Sequence, residues 1–299
     1  LINISAISVY CGIILLFFSV LLSDVKFTYQ AFTNIVNINN FISYENLGPL
    51  VTVTGTTFAY FSIVILTFGD FSRYVKSEDQ LKKGNLSLIL NLIIFSFLSF
   101  FIVSGTDAFV NTGSENVSRI LTNPTDIIGK LDNILITNLV LVFIIIASAS
   151  TNLVANFIPS QFTLINFIPS SLSLKSSSYI IIILGFLVGI LWLTFFSQIG
   201  ILSFVDTFGS FFGPIFGIMI VDYYLINKNS INNKDIFSSN INGEYYFSGG
   251  WHIKGVYSII LGFIFASSTI WNSNLIFLHS FSWILGALIS GFVYYLLKN

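Results

Sequence analysis

Long apolar runs, separated by shorter polar segments, follow one another along the whole chain. A helix needs about 20 apolar residues to cross about 30 Å of hydrocarbon, so runs without Asp, Glu, Lys or Arg predict membrane spans directly. Eight such runs lie near residues 5–23, 48–69, 85–105, 134–158, 178–196, 200–224, 255–272 and 277–297. The pattern therefore predicts an all-α membrane protein with eight spanning helices.

Two uncharged segments do not fit a single span. Residues 133–174 are too many for one crossing, so the tail at 160–174 is expected to form a loop or an interfacial helix. Residues 27–44 also lack acidic and basic side chains, but Gln30 and four asparagines make them unsuited to lipid. We expect this second segment to lie outside the bilayer.

Composition agrees with a multi-pass protein of the cell membrane. Of the 299 residues, 55% are hydrophobic and 8% are charged, whereas soluble domains carry about 25% charged residues. Soluble enzymes, nucleic-acid binders and disulfide-rich secreted proteins are excluded, because charge is scarce and Cys11 is the only cysteine. The expected partners are lipid and a small molecule, with no nucleic acid, and the oligomeric state stays open.

The basic residues predict the orientation of the spans. When loops are assigned alternately to the two sides, one side carries nine Lys and Arg residues and the other carries three. Basic residues concentrate on the cytoplasmic side of membrane proteins. We therefore expect residues 73–83 to face the cytoplasm and the loop at 106–132 to lie outside.

The second predicted span contains polar and flexible residues near its middle, at 54–57. Broken helices at the membrane midplane commonly form substrate sites in secondary transporters, so an unwound segment around Gly55 is expected. The alternative interpretation is that small residues here only permit close helix packing.

The fourth predicted span ends in a polar stretch at 147–156. At about 100° per residue it presents two adjacent polar faces, a hydroxyl-bearing arc and an amide stripe. The arc consists of Ala147, Ser150 and Thr151, and the stripe of Ser148, Asn152 and Asn156. Hydroxyl and carbonyl oxygens suit a small cation, while amides suit a planar polar ligand. Hydrogen bonding between helices is the alternative role for the same residues.

Three aspartates are associated with spans. Asp206 lies early in the sixth span, where it either has a role in ion coupling or sits near the outer interface. Asp70 and Asp222 lie at cytoplasmic helix ends, and we expect them to pair with Arg73 and Lys228.

Four motifs resemble the nucleobase:cation symporter-1 family, the permeases for cytosine, uracil, allantoin, purines and hydantoins. They are Gly69-Asp-Phe-Ser-Arg-Tyr74, Ser150-Thr-Asn-Leu-Val-Ala-Asn156, Gly213-Pro-Ile-Phe-Gly-Ile-Met-Ile-Val-Asp-Tyr-Tyr-Leu225 and Gly243-Glu-Tyr-Tyr-Phe-Ser-Gly-Gly-Trp251. The resemblance implies a leucine-transporter-like bundle of twelve helices with inverted repeats. Residues 1–299 would then be a partial transporter domain containing helices five to twelve, unable to transport without the first four.

The resemblance also implies roles for individual residues. Ala147, Ser150 and Thr151 match positions that give oxygens to sodium in a hydantoin transporter of the family, and Asn156 matches an asparagine that hydrogen-bonds the planar substrate. Gly55 falls in the family's unwound sixth helix. Where the family has a tryptophan that stacks on the substrate, this chain has Tyr60 and Phe61.

The function implied is secondary active symport of a nucleobase or related planar ring compound with Na⁺ or H⁺, with no other cofactor and no catalytic residues. An allantoin, hydantoin or thiamine-type permease stays open, as does a membrane scaffold that does not transport. An enzyme is disfavoured, because His252 is expected in a cytoplasmic segment and His279 alone near an outer helix end.

Overall fold

The structure, a computed structural model, describes residues 2–23, 25, 29, 33, 44–111, 124–129, 133–168, 171–192, 194, 201–236, 238 and 240–298. Most of these residues are helical, and the only β interaction among them is an isolated bridge between Ser248 and Trp251. The prediction of an all-α membrane protein is therefore confirmed. The inverted repeat stays a prediction.

The α-helices are α1 (Ile2–Ser23), α2 (Tyr44–Leu66), α3 (Phe68–Ser72), α4 (Glu78–Asn111), α5 (Pro124–Ile128), α6 (Ile134–Thr151), α7 (Ile158–Phe167), α8 (Leu174–Leu191), α9 (Ile201–Ile220), α10 (Ile253–Trp271) and α11 (Ser282–Lys298). Shorter turns of other types adjoin them, namely a first π segment (Asn152–Phe157), a second π segment (Val221–Ile226) and a 3₁₀ helix (Ser273–Phe281). The chain divides into two compact units, unit 1 with residues 1–43 and 70–181 and unit 2 with residues 44–69 and 182–299.

Seven helical segments in the described part are long and apolar enough to cross a membrane. They coincide with seven of the eight predicted spans. The first predicted span coincides with α1, whose apolar portion at 7–22 is shorter. The count of eight spans stays a prediction, and the segment at 27–44 falls almost entirely outside the described residues.

Unit 1 is held together by an apolar core in which α1 packs against α4 and α6. The buried members of this core are Leu16, Val20, Ile102, Ile127, Ile128 and Val140. The side-chain oxygen of Asn133 accepts hydrogen bonds from the backbone N–H groups of Leu135 and Ile136 and so caps the start of α6. The cap fixes the start of α6, and the core packs against the apolar part of the helix that precedes its polar end.

The helix that begins at α6 does not end at the polar stretch. It continues through the first π segment into α7, so that residues 158–167 are helical rather than a loop. Pro159 at the start of α7 has no N–H, and its ring crowds the carbonyl four residues earlier. The wider π turn, in which the Ile158 N–H donates to the Leu153 carbonyl, accommodates the proline without ending the helix.

Unit 2 is packed through small residues on α2, α9, α10 and α11. A Cβ atom at Gly217 would lie 2.0 Å from the carbonyl oxygen of Ala287, and one at Gly213 would lie 2.4 Å from that of Trp283. Helices in lipid gain stability mainly from such close packing. Lipid tails are as apolar as the helix surfaces, so burying apolar surface between helices adds little free energy.

The expectation of an unwound segment around Gly55 is wrong. Residues 44–66 form one continuous helix, α2, with Pro49 in its first turns. Gly55 instead permits close contact with the 3₁₀ helix, since a Cβ atom there would lie 2.0 Å from the carbonyl oxygen of Ser280. The alternative interpretation, close helix packing, is the correct one for this stretch.

Candidate functional site

The three residues of the predicted cation arc lie at the end of α6, in unit 1. Ser150 is buried and its hydroxyl donates to the carbonyl of Ala147 at 3.0 Å, whereas Thr151 is exposed. Ala147 also borders a largely apolar cavity of about 430 Å³ between α1, α4 and α6. The arc therefore offers two hydroxyls and one carbonyl that the Ser150 hydroxyl already shares.

The amide stripe forms a hydrogen-bonded ladder along the same helix. Asn152 Nδ2 donates to the Ser148 carbonyl at 2.9 Å, and Asn156 Nδ2 donates to Asn152 Oδ1 at 2.6 Å. Asn156 is exposed, and no described residue donates to its Oδ1. The ladder orients the terminal amide and leaves an acceptor and one N–H of Asn156 for a ligand.

The first π segment contains Asn156 and begins directly after Thr151. Single π turns inside α-helices occur frequently at functional sites, because they displace side chains from the regular helical positions. Sequence reasoning missed this turn, although Pro159 was the signal that could have indicated an irregularity about one turn earlier.

The predicted aromatic residues lie on α2, in unit 2. The Tyr60 side chain is 63% exposed and meets the ring of Phe61 edge to face at a centroid distance of 5.2 Å. Gly55 lies in the contact with the 3₁₀ helix. The structure thus groups Ala147, Ser150, Thr151 and Asn156 within unit 1, and Gly55, Tyr60 and Phe61 within unit 2.

A polar cluster in unit 2 was not predicted from the sequence. Asp206 on α9 is buried, and its Oδ2 lies 2.8 Å from Nε2 of His279 on the 3₁₀ helix. The hydroxyl of Thr56 on α2 donates to the same oxygen at 3.4 Å. The expectation that His279 is alone is therefore wrong, because folding brings it to a carboxylate 73 positions earlier in the chain.

The aspartates at the predicted cytoplasmic helix ends differ from each other. Asp70 pairs with Arg73 at 2.8 Å, as predicted. Asp222 does not pair with Lys228 among the described ion pairs; it accepts hydrogen bonds from Tyr294 at 2.5 Å and Asn227 at 2.8 Å. Tyr294 is buried against α9, so its hydroxyl is already held in place for a hydrogen bond to Asp222. Lys228 lies on an exposed turn, and pairing it with Asp222 would cost the conformational entropy of ordering its side chain.

His252 adds to the cluster of Asp222 and Tyr294 and caps α10. Its Nδ1 accepts from the Gly255 N–H at 2.8 Å, so a neutral imidazole carries its proton on Nε2, which faces the Tyr294 hydroxyl at 3.3 Å. Burial, followed by the positive charge of Lys298, lowers the pKa of His252. The folded protein therefore favours the neutral imidazole that its cap requires.

We expect the unfolding temperature in detergent to fall by a few degrees as the pH is lowered below about 6.5, the ordinary value for histidine. The unfolded chain binds the proton more readily than folded His252, so the stabilisation is complete above that value and is lost as the pH falls through the lowered pKa. The unfolding temperature, recorded at a series of pH values between about 8 and 5, measures this loss of stability.

The matched control is His252→Asn, because asparagine keeps a capping acceptor but does not titrate. The variant should lose less stability than the wild type over the same pH range. Equal losses in both proteins would show that His252 does not contribute to the acid sensitivity.

Both the helices and the comparisons with known proteins define the class. Seven described helices suited to a membrane make the chain a multi-pass integral membrane protein. Residues 1–293 match the family described as permeases for cytosine/purines, uracil, thiamine and allantoin, and the chain belongs to that family. The resemblance noted from the four motifs is thereby confirmed.

Several permeases are similar to this chain over part of their own length. The purine-uracil permease NCS1 of Arabidopsis thaliana is 28% identical over 206 residues, which cover 69% of this chain and 33% of the relative. The allantoin permease of Bacillus subtilis is 26% identical over 253 residues, 84% of this chain and 49% of the relative. The hydantoin permease of Microbacterium maritypicum is 28% identical over 181 residues, 60% of this chain and 34% of the relative.

The chain thus matches about a third to a half of the length of these curated relatives. No solved structure matches it.

Proposed function

We propose that this chain is the part of a secondary symporter that imports a nucleobase or a related planar ring compound together with Na⁺ or H⁺. Purines, uracil, allantoin and hydantoin are the compounds in the names of the relatives. They share a flat ring with several hydrogen-bonding edges, which is the chemistry that an amide and an aromatic face recognise together.

The observation that carries the proposal is the placement of Asn156. Its amide lies on a π turn, is oriented by the Asn152 ladder, and keeps hydrogen-bonding capacity free within the described residues. A buried ring needs such groups, because each unpaired donor or acceptor in a dry site costs about 1–3 kcal/mol. A stacking face at Tyr60 or Phe61 stays a separate prediction from the family resemblance, since stacking requires a π surface rather than an indole.

Uptake measurements test this function. Cells that lack their own nucleobase uptake and express the full-length protein should accumulate radiolabelled uracil, cytosine or allantoin, and a cation gradient should increase the rate. Comparing the three compounds separates a nucleobase permease from an allantoin permease. Absence of uptake with each compound and with a hydantoin, despite folded protein in the membrane, would favour the non-transporting scaffold.

We expect Thr151→Ala to raise the sodium concentration needed for half-maximal uptake by about tenfold, because the variant removes one of the few hydroxyl ligands of the proposed sodium arc. Uptake at a series of sodium concentrations measures the change.

Thr194→Ala is a suitable control, since Thr194 is also an exposed threonine, but its hydroxyl donates to the Ile190 carbonyl in a part of the chain far from the arc. An unchanged sodium dependence in Thr151→Ala would contradict sodium binding by Ala147, Ser150 and Thr151.

A further inference from the structure

The Asp206 cluster in unit 2 is a buried ionisable site that the proposed cation arc does not use. The Asp206 side chain is 5% exposed and lies in a membrane-spanning helix, and its partner His279 is 26% exposed. Acidic side chains within spanning helices are costly and usually functional. The imidazole is the more exposed of the two groups.

Three separate elements meet at this carboxylate. Thr56 comes from α2, Asp206 from α9 and His279 from the 3₁₀ helix. Close backbone contacts lie beside the cluster, where a Cβ at Gly55 would meet Ser280 at 2.0 Å and one at Gly209 would meet Ala59 at 2.3 Å. The elements around Asp206 are therefore tightly packed. A change of charge at Asp206 is expected to shift their contacts, because a closely packed interior has no free space for local rearrangement.

The other ionisable side chains that the structure describes on the elements packed against α9 lie elsewhere. On α2, Tyr60 is one turn beyond Thr56 and is exposed. On α10 and α11 the described ionisable residues gather toward the opposite end, where His252, Tyr294 and Asp222 meet. His279 is thus the ionisable partner that faces Asp206 in the described part of unit 2.

The chemistry of the pair favours binding of one proton. A carboxylate beside a neutral imidazole carries a net negative charge in apolar surroundings, and one additional proton makes the pair neutral. The ring Nε2 lies close to Asp206 but forms no well-aligned hydrogen bond, so the pair is not a fully satisfied structural bridge. Histidine is also the side chain that exchanges protons near neutral pH.

We propose that Asp206, His279 and Thr56 form a proton-binding site, and that its protonation changes how α2 contacts α9 and the 3₁₀ helix. The proton adds to the imidazole of His279, whose positive charge is stabilised by the Asp206 carboxylate 2.8 Å away, and it leaves from the same ring. Because α2 also carries Tyr60 and Phe61, the site links protons to the substrate contacts, and this link rests on the proposed function.

Histidine NMR of the protein in detergent tests proton binding without any substrate. The chain contains two histidines, so His252→Asn assigns the signal of His279. We expect proton binding at His279 to depend on Asp206, so Asp206→Asn should weaken it by about tenfold or more, since an opposite charge within about 4 Å is removed. An unchanged affinity would overturn the proposal.

Thr56→Val provides a second variant in case Asp206→Asn does not fold. It removes a donor that stabilises the carboxylate, so proton binding should become a few-fold stronger, opposite in sign to the effect of Asp206→Asn. Thr56→Ser, which keeps the hydroxyl, should titrate like the wild type. Equal titrations of Thr56→Val and Thr56→Ser would contradict a shared site.

Uptake as a function of pH tests the link to transport. His279→Gln should abolish the pH dependence that His252→Asn retains, with both normalised to folded protein. A pH dependence that persists in His279→Gln would overturn the link. If the wild type takes up no candidate substrate, the proposed function fails, while the NMR titration still decides whether the proton site exists.

Discussion

Replacing Asn156 with alanine should weaken substrate binding by roughly tenfold or more in the full-length transporter. The change removes an amide that the Asn152 ladder holds in position, and a buried polar edge of the ligand would then lose its partner at a cost of about 1–3 kcal/mol. Asn156→Asp should weaken binding as well, because it removes the donor and adds a charge at membrane depth. Equilibrium binding of labelled substrate to purified protein measures both.

Asn138→Ala is the matched control for this prediction. Asn138 is an exposed asparagine of the same continuous helix but lies 18 residues before Asn156, so its removal perturbs the helix without touching the proposed ligand contact. If Asn156→Ala lowers the folded yield while the remaining folded protein binds substrate with normal affinity, Asn156 is a packing residue and does not belong to the substrate site.

Replacing Gly217 with alanine should strongly destabilise unit 2. The new Cβ would lie 2.0 Å from the backbone carbonyl oxygen of Ala287, and neither backbone can move without separating α9 from α11. Overpacking of this kind typically costs about 1–3 kcal/mol and occasionally more. A lower unfolding temperature and a lower yield of folded protein in detergent are the expected measurements.

Gly189→Ala is the comparison for Gly217→Ala. Gly189 also lies inside a helix, α8, but nothing stands within 4 Å of the position that its Cβ would occupy. Alanine has the higher helix propensity by about 1 kcal/mol, so this variant should be neutral or slightly more stable. Similar losses of stability in both variants would mean that these glycines serve helix flexibility rather than close helix packing.

The sequence was sufficient for the helices and the family because both depend on local patterns. Hydropathy over about 20 residues locates a span whatever its neighbours are, and the predicted runs coincide with the observed membrane-suited helices. The Asp70–Arg73 pair was also predictable, since residues three apart on a helix face each other. The amide ladder from Ser148 to Asn156 follows from the same helical spacing.

The course of α2 shows where local reasoning failed. Threonines and a glycine in a span fit both an unwound site and a close helix contact, and the residues alone do not separate the two. The choice depends on whether another backbone approaches Gly55, and Ser280, 225 positions away, does so. The carbonyl of Ser280 leaves no room for a side chain at position 55, and α2 stays helical there.

By itself, the sequence determined the membrane class, the position of the spans and the family, because these depend on the composition and order of neighbouring residues. Only the tertiary structure decided which polar groups meet: Asp206 with His279, and Asp222 with Tyr294. Each pair joins residues more than 70 positions apart, and nothing in the local pattern of either residue identifies its partner. Helix packing selects the partners, because a polar group buried in an apolar bundle must bond to whichever polar group the neighbouring helix brings within reach.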